Sequence, residues 1–177
     1  KIAFISGMTG QDGPYLAKYL LEKDYKVYGL VKRYSNPNFS NLDYLGIEND
    51  VDLITGDITD DANMNHLVRS IRPHEFYNLA AQSFVGSSWD LNKQTTEVNA
   101  MGVLNILNAI VNQNPQTRFY QASTSELYGN ANDEGIQNEK TPFHPRSPYG
   151  ISKLCSYWMT VNFRESYSVH ASNGILF

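Results

Sequence analysis

The chain has 177 residues, 41% of them apolar and 18% charged, with a formal net charge of −4. That is enough apolar material for one compact domain, and a mildly acidic chain without a Lys/Arg run argues against nucleic acid or an anionic membrane as partner, which leaves small molecules. Cys155 is the single cysteine, no run of about 18 apolar residues occurs, and Lys1–Gly7 leads straight into structure, so a cytoplasmic protein is expected.

Short apolar runs alternate with longer segments of helical period, the pattern of repeated βαβ units around a parallel sheet. The expected class is α/β, a doubly wound parallel sheet of Rossmann type. Strands are expected at Ile2–Ser6, Lys26–Val31, Val51–Thr55, Glu75–Leu79, Thr117–Ala122 and Val169–Leu176. Helices are expected at Pro14–Lys23, Ala62–Ile71, Thr95–Gln113 and Pro148–Tyr167. The apolar stripe of Thr95–Gln113 is too wide for a surface helix, so that helix should pack on two sides. Tyr34–Asp50 could hold one short helix at "SNLDYLGI", and Gly129–Ser147 reads as a long excursion between a strand and a helix.

After the first strand, "ISGMTGQDGPYL" spaces Gly7, Gly10 and Gly13 by three and opens a helix at Pro14. Glycines let the backbone approach a diphosphate, and the helix N-terminus offers free N–H groups and a partial positive charge, so a dinucleotide is expected here. Asp12 is expected to cap the helix backbone and point away from the phosphates. The second strand ends in Lys32–Arg33, where an acidic residue would suit the ribose hydroxyl of NAD. Two cations there favour a 2′-phosphate, hence NADP, although a solvated Lys–Arg pair is the plain alternative. Asp57 in "TGDITD" could meet the adenine edge or simply serve a turn.

In "SPYGISK", Tyr149 and Lys153 stand four apart at a helix start, with Ser147 as N-cap and Pro148 in the first turn. Side chains at that spacing share a face, and an ammonium about 4 Å from a phenolate should draw a tyrosine pKa towards neutrality, making a general base. Upstream, "STSELYG" places Glu126 among hydroxyls, where it is either a solvated loop carboxylate or part of the chemistry. His66, His74, His144 and His170 show no ligand spacing, so no metal site is expected.

The glycine loop, "YNLAAQS" at Tyr77–Ser83 and Tyr149-x-x-x-Lys153 together resemble the extended short-chain dehydrogenase/reductase superfamily. Within it, "GMTGQDGPYLAKYLLEK", "FYQASTSELYG", "PRSPYGISK" and "NFRESY…NGILF" resemble the GDP-mannose 4,6-dehydratase family along essentially the whole chain. The resemblance implies residues 1–177 as the NADP-binding Rossmann-type domain of a longer enzyme whose smaller C-terminal substrate domain is largely missing here. It implies a hydro-lyase that converts GDP-mannose to GDP-4-dehydro-6-deoxy-D-mannose, as a homo-oligomer (dimer or tetramer).

Carried over by motif, Gly7, Thr9, Gly10, Gln11 and Asp12 would bind the diphosphate, Arg33 the 2′-phosphate, and Asp57 and Ile58 the adenine. Leu79, Ala80, Ala81 and Ser83 would line the nicotinamide side, with Ser83 also reaching substrate. Tyr149 would deprotonate the sugar C4 hydroxyl, and Lys153 would hold the ribose and lower the Tyr149 pKa. Thr124 would bond the C4 oxygen, Glu126 would remove the C5 proton, and Ser125 would touch sugar or cofactor. Thr124 and Glu126 face one side if extended geometry persists past the strand. Gln94 stands where the family commonly has a tyrosine, and the Tyr34–Asp50 loop is shorter than the family's. A 4-epimerase or 4-keto reductase of the same superfamily, or a non-catalytic dinucleotide-binding module, are the alternatives. Glu126 distinguishes them, because neither needs a base at C5.

Overall fold

The computed structural model describes residues 1–33, 38–129 and 136–177. Residues 34–37 of the Tyr34–Asp50 loop and 130–135 of the Gly129–Ser147 excursion therefore lie outside the described residues. Strands and helices alternate: β1 (Ile2–Ser6), α1 (Asp12–Leu21), β2 (Lys26–Val31), α2 (Ser40–Leu45), β3 (Asp52–Thr55), α3 (Asp61–Ile71), β4 (Glu75–Asn78), α4 (Asn92–Thr96), α5 (Gly102–Gln113), β5 (Arg118–Thr124), α6 (Pro148–Tyr167) and β6 (Ala171–Leu176). The sheet is parallel in the order β3-β2-β1-β4-β5-β6. Strand order reverses between β1 and β4, and such a switch point opens a crevice at the carboxyl ends of the strands.

Side chains alternate between the two faces of a strand, and a parallel sheet covered on both faces needs apolar residues on both. Ala3, Ile5, Val27 and Val31 pack on one face with Ala17 and Leu20 of α1. Phe4, Phe76 and Phe119 form a row on the other face, with ring centroids 4.8 and 6.1 Å apart, beneath α3, α5 and Phe163 of α6. Burying each such ring stabilises the fold by about 1.5–3 kcal/mol, so Phe76→Ala, which empties the middle of the row, would be the most damaging single change there.

Helix starts follow the local sequence. The Asp60 carboxylate accepts from Asn63 N at 3.0 Å to cap α3. Ser147 Oγ accepts from Gly150 N at 3.0 Å to cap α6, with Pro148 behind it, as the sequence predicts. The expected helix over Thr95–Gln113 is interrupted: α4 leads into a π-helical turn at Glu97–Met101 before α5 begins. Asn99 is buried in that turn, and the extra residue aims a polar side chain inward where the apolar stripe alone would have placed a hydrophobe. α5 packs between α3 and α6, as its wide apolar stripe requires.

Candidate active site

Gly7 leaves β1 at φ +76°, and a Cβ there would lie 2.8 Å from Leu79 C and Ala80 N. At Gly13 a Cβ would lie 2.7 Å from Gly7 O, so only glycine lets this loop close against the end of β4. Gln11, not Asp12, occupies the N-cap of α1 and makes no side-chain cap bond. Asp12 is instead the first helical residue, where a carboxylate complements the helix dipole. Beside burial, its charge helps push the Tyr120 phenol up. The expected cap by Asp12 is thus corrected: among the described residues no side chain consumes the N–H groups at the start of α1, which a bound anion could take.

A cleft of ≈ 560 Å³ opens at the switch point. Its walls include Gly7, Thr9, Gly10, Gln11 and Asp12 from the loop, and Lys32, Asp57 and Ile58 from the strand ends beyond. Leu79, Ala80, Ala81, Gln82 and Ser83 follow β4, and Gln94 and Val98 close the side. Eleven of the residues expected to hold a cofactor therefore converge. Arg33 is exposed and is not part of the wall, whereas Lys32 is, through an ion pair of 3.0 Å to Asp57. Burial pushes the Asp57 carboxyl up, but the Thr59 N–H and hydroxyl, together with Lys32, outweigh it and hold the group below its ordinary value. Asp57 is thus both a turn residue and part of the wall. Volume, glycine cradle and exposed N–H groups fit a dinucleotide.

Beyond the cleft, β5 ends at Thr124 and a 3₁₀ turn follows at Ser125–Leu127. Extended geometry does not persist to Glu126: Thr124 Oγ accepts from Glu126 N at 3.2 Å and caps the turn. The turn still brings Glu126 within electrostatic reach of Tyr149, and the Thr124 hydroxyl at the end of β5 acts on the Tyr149 phenol to favour its ionised form. Burial raises the Tyr149 pKa, the Thr124 bond opposes this, and the Glu126 charge adds to the rise. Lys153 does not draw the Tyr149 pKa down as spacing suggested, because its ammonium is spent elsewhere. Nζ donates to Ala122 O at 2.9 Å and lies 5.9 Å from the Tyr149 ring centroid. Burial pushes Lys153 down to about 8. Thr124, Tyr149 and Lys153 are buried, and Ser125 and Glu126 are half-buried.

Three residues that tie cleft to cluster escape sequence reasoning. Asn99 Oδ1 accepts from Gln82 N at 2.9 Å, and its Nδ2 donates to Gln82 O at 3.1 Å and to Ser152 Oγ at 3.1 Å. Ser152 Oγ in turn donates to Tyr149 O at 2.7 Å. An asparagine inside an apolar helical stripe was the available signal. Among the described residues no group of three or more His, Cys, Asp or Glu side chains could hold a metal, and no helix is long and apolar enough to cross a membrane.

A parallel sheet in this order, a glycine loop at its switch point and a Tyr149/Lys153 pair beside it define a protein of the short-chain dehydrogenase/reductase type. Solved structures share the fold. A UDP-glucose 4-epimerase from Thermotoga maritima superposes with a TM-score of 0.85 at 24% identity, over 99% of this chain and 54% of its own. DesIV from Streptomyces venezuelae, a dTDP-glucose 4,6-dehydratase with NAD and TYD bound, superposes with 0.84 at 25% identity, over 99% and 54%.

The profile of the GDP-mannose 4,6 dehydratase family matches residues 4–177, and the chain belongs to that family. A GDP-mannose 4,6-dehydratase of Yersinia enterocolitica is 50% identical over 184 residues, and one of Homo sapiens 47% identical over 187. These alignments take in 100% and 99% of this chain and 49% of each relative. The chain spans about half the length of the curated relatives it matches.

Proposed function

We propose that this chain is the dinucleotide-binding part of a GDP-mannose 4,6-dehydratase, a hydro-lyase that works with bound NADP. The observation that carries the reading is a carboxylate, Glu126, whose charge reaches the Tyr149 hydroxyl from the turn capped by Thr124, beside a dinucleotide-shaped cleft. An epimerase or reductase needs the tyrosine but not the carboxylate.

The bound nicotinamide dinucleotide supplies the hydride acceptor at C4 of the sugar and the hydride donor at C6. The loop Gly7–Asp12 holds its diphosphate, Asp57 and Ile58 its adenine, and Leu79, Ala80, Ala81 and Ser83 its nicotinamide side. Lys32 and Arg33 take the 2′-phosphate, for which Lys32 has to leave Asp57. Tyr149 accepts the proton of the C4 hydroxyl while Thr124 hydrogen-bonds that oxygen. Once C4 is a ketone, the C5 proton is acidic, Glu126 removes it, and water departs from C6. Ser83 and Ser125 contact the sugar, and Lys153 fixes the ribose. The cytoplasm is the proposed site of action, and the exposed Met101, Ile151 and Trp158 give an apolar face suited to a homo-oligomer of two or four subunits.

The test is to incubate the full-length protein with GDP-mannose and NADP and look for a 4-keto-6-deoxy product by mass and NMR. Turnover of another sugar nucleotide but not GDP-mannose would overturn the substrate. In parallel, Arg33→Ala should weaken NADP binding at least about tenfold and leave NAD binding unchanged. Equal losses for both dinucleotides would overturn NADP as the cofactor.

A further inference from the structure

We propose that Gln121 positions Lys153, by fixing the Ala122 carbonyl that receives its ammonium; this rests on the catalytic reading of Lys153 given above. Lys153 is 3% exposed, and its protein acceptor is Ala122 O at 2.9 Å. The same oxygen accepts from Gln121 Nε2 at 2.9 Å. Gln121 Oε1 accepts from Asn78 Nδ2 at 2.7 Å, and Asn78 Oδ1 accepts from Ser6 Oγ at 2.5 Å. Ser6, Asn78 and Gln121 are register partners on β1, β4 and β5, all fully buried, two residues beyond the Phe4–Phe76–Phe119 row. The ladder thus starts beside Gly7, where Ser6 Oγ also accepts from Ala80 N at 3.3 Å, and ends on the carbonyl under the lysine.

Burying two amides where aromatic residues fill the preceding row costs about 1–3 kcal/mol each unless every group is bonded. A layer that only fixed strand register would carry on to the next strand. Its neighbour there is Asn173, the register partner of Gln121 on β6, whose buried Oδ1 accepts no hydrogen bond among the described residues. Gln121 passes over that acceptor and bonds Ala122 O. Two donors then converge on one carbonyl, so the oxygen cannot turn away from Lys153, and the positive end of the Gln121 amide faces the ammonium. Around Lys153, Tyr149 lies against it, and Glu126, in the 3₁₀ turn packed on α6, acts on Tyr149 through its charge. Glu97, in the π turn that packs on α6, is exposed and paired with Lys93.

The test uses the full-length, NADP-loaded protein turning over GDP-mannose, with kcat and KM measured across pH for Gln121→Met and Gln121→Leu. Both withdraw the donor from Ala122 O without adding a charge, and the shorter Gln121→Leu serves where Gln121→Met does not fold. Bound dinucleotide and KM should stay within about twofold, while kcat falls about ten- to a hundredfold, as for a small misplacement. The alkaline limb of the kcat profile should move up by about half a pH unit or more, because a positive dipole end no longer opposes the ammonium. A folded variant whose alkaline limb stays in place overturns the proposal, whether or not kcat falls, since a purely structural residue would leave it there. Lys153→Met separates the two layers: if it stays active, the reading of Lys153 fails and this proposal with it. If it is inactive while both Gln121 variants behave as wild type, the positioning role alone fails.

Discussion

The ammonium of Lys153 and the carbonyl of Ala122 meet 2.9 Å apart with almost no solvent contact, so the second turn of α6 delivers a cation to the buried end of β5. The helix cannot avoid this contact. Ser147 fixes its start and Phe163 anchors its far end in the core, so Lys153 points at the sheet by register alone.

That placement is unfavourable for stability. The folded pKa of Lys153 is pushed down from 10.5 to about 8, so the unfolded chain binds more protons between those values and stability rises with pH across that window. Below pH 8 the burial penalty is fully present. Lys153→Met should therefore stabilise the fold near neutral pH by about 2–3 kcal/mol, with Gln121 still bonding Ala122 O, and the gain should vanish as the pH approaches 10.5. Denaturant melts at pH 7 and pH 10 check this, and a loss of stability at pH 7 would contradict it.

Thr124 opposes the burial that raises the Tyr149 pKa. In Thr124→Val the phenolate loses its hydrogen bond, so a higher pH is needed to ionise the base. The acidic limb of the rate profile should move up by about one unit, the worth of one hydrogen bond to a charged group. Rates at fixed substrate across pH 6 to 11 would reveal it, and a downward shift would sink the assignment.

Glu126 should matter to only one half of the reaction. Glu126→Gln keeps the shape of the turn, whose cap uses the backbone N–H, but cannot take a proton. Bound NADP should still become reduced on mixing with GDP-mannose, seen in its near-ultraviolet absorbance, while 4-keto-6-deoxy product falls by at least about a hundredfold. Undiminished product would place the C5 base elsewhere.

Gly7 carries a load no other residue can. Gly7→Ala would force a side chain into φ +76° and against the backbone at Leu79 and Ala80. The cost should be at least about 2 kcal/mol, a melting temperature lower by about 4–8 °C, with dinucleotide binding lost. Calorimetry on the variant with and without NADP measures both.

The repeating parts of the fold were open to reading from sequence. β1, β2 and α6 follow their expected boundaries, because β-branched runs, Ser147 and Pro148 act locally. β5 runs two residues past the expected end, to Thr124, since hydroxyl residues carry no apolar signal although β6 pairs with them. Cleft residues from Gly7 to Ser83 were legible because glycine spacing encodes backbone approach. The Tyr149 pKa was misjudged: spacing shows that two side chains share a face, but not that Ala122 captures the ammonium between them. Nor does alternation in a strand disclose that Ser6, Asn78 and Gln121 bond one another, since each sits a distance of many residues from its partner.

The π-helical turn at Glu97–Met101 sets a limit on how this chain can vary. Deleting one residue there would let ordinary α geometry run from α4 into α5 with both flanks nearly in phase, since the wide turn is what absorbs the extra residue. Val103, Ile106 and Ile110 would stay in the core, and the loss would fall on Asn99 and its bonds to the Gln82 backbone. The core thus tolerates a shorter segment, whereas the tie between cleft and catalytic cluster does not.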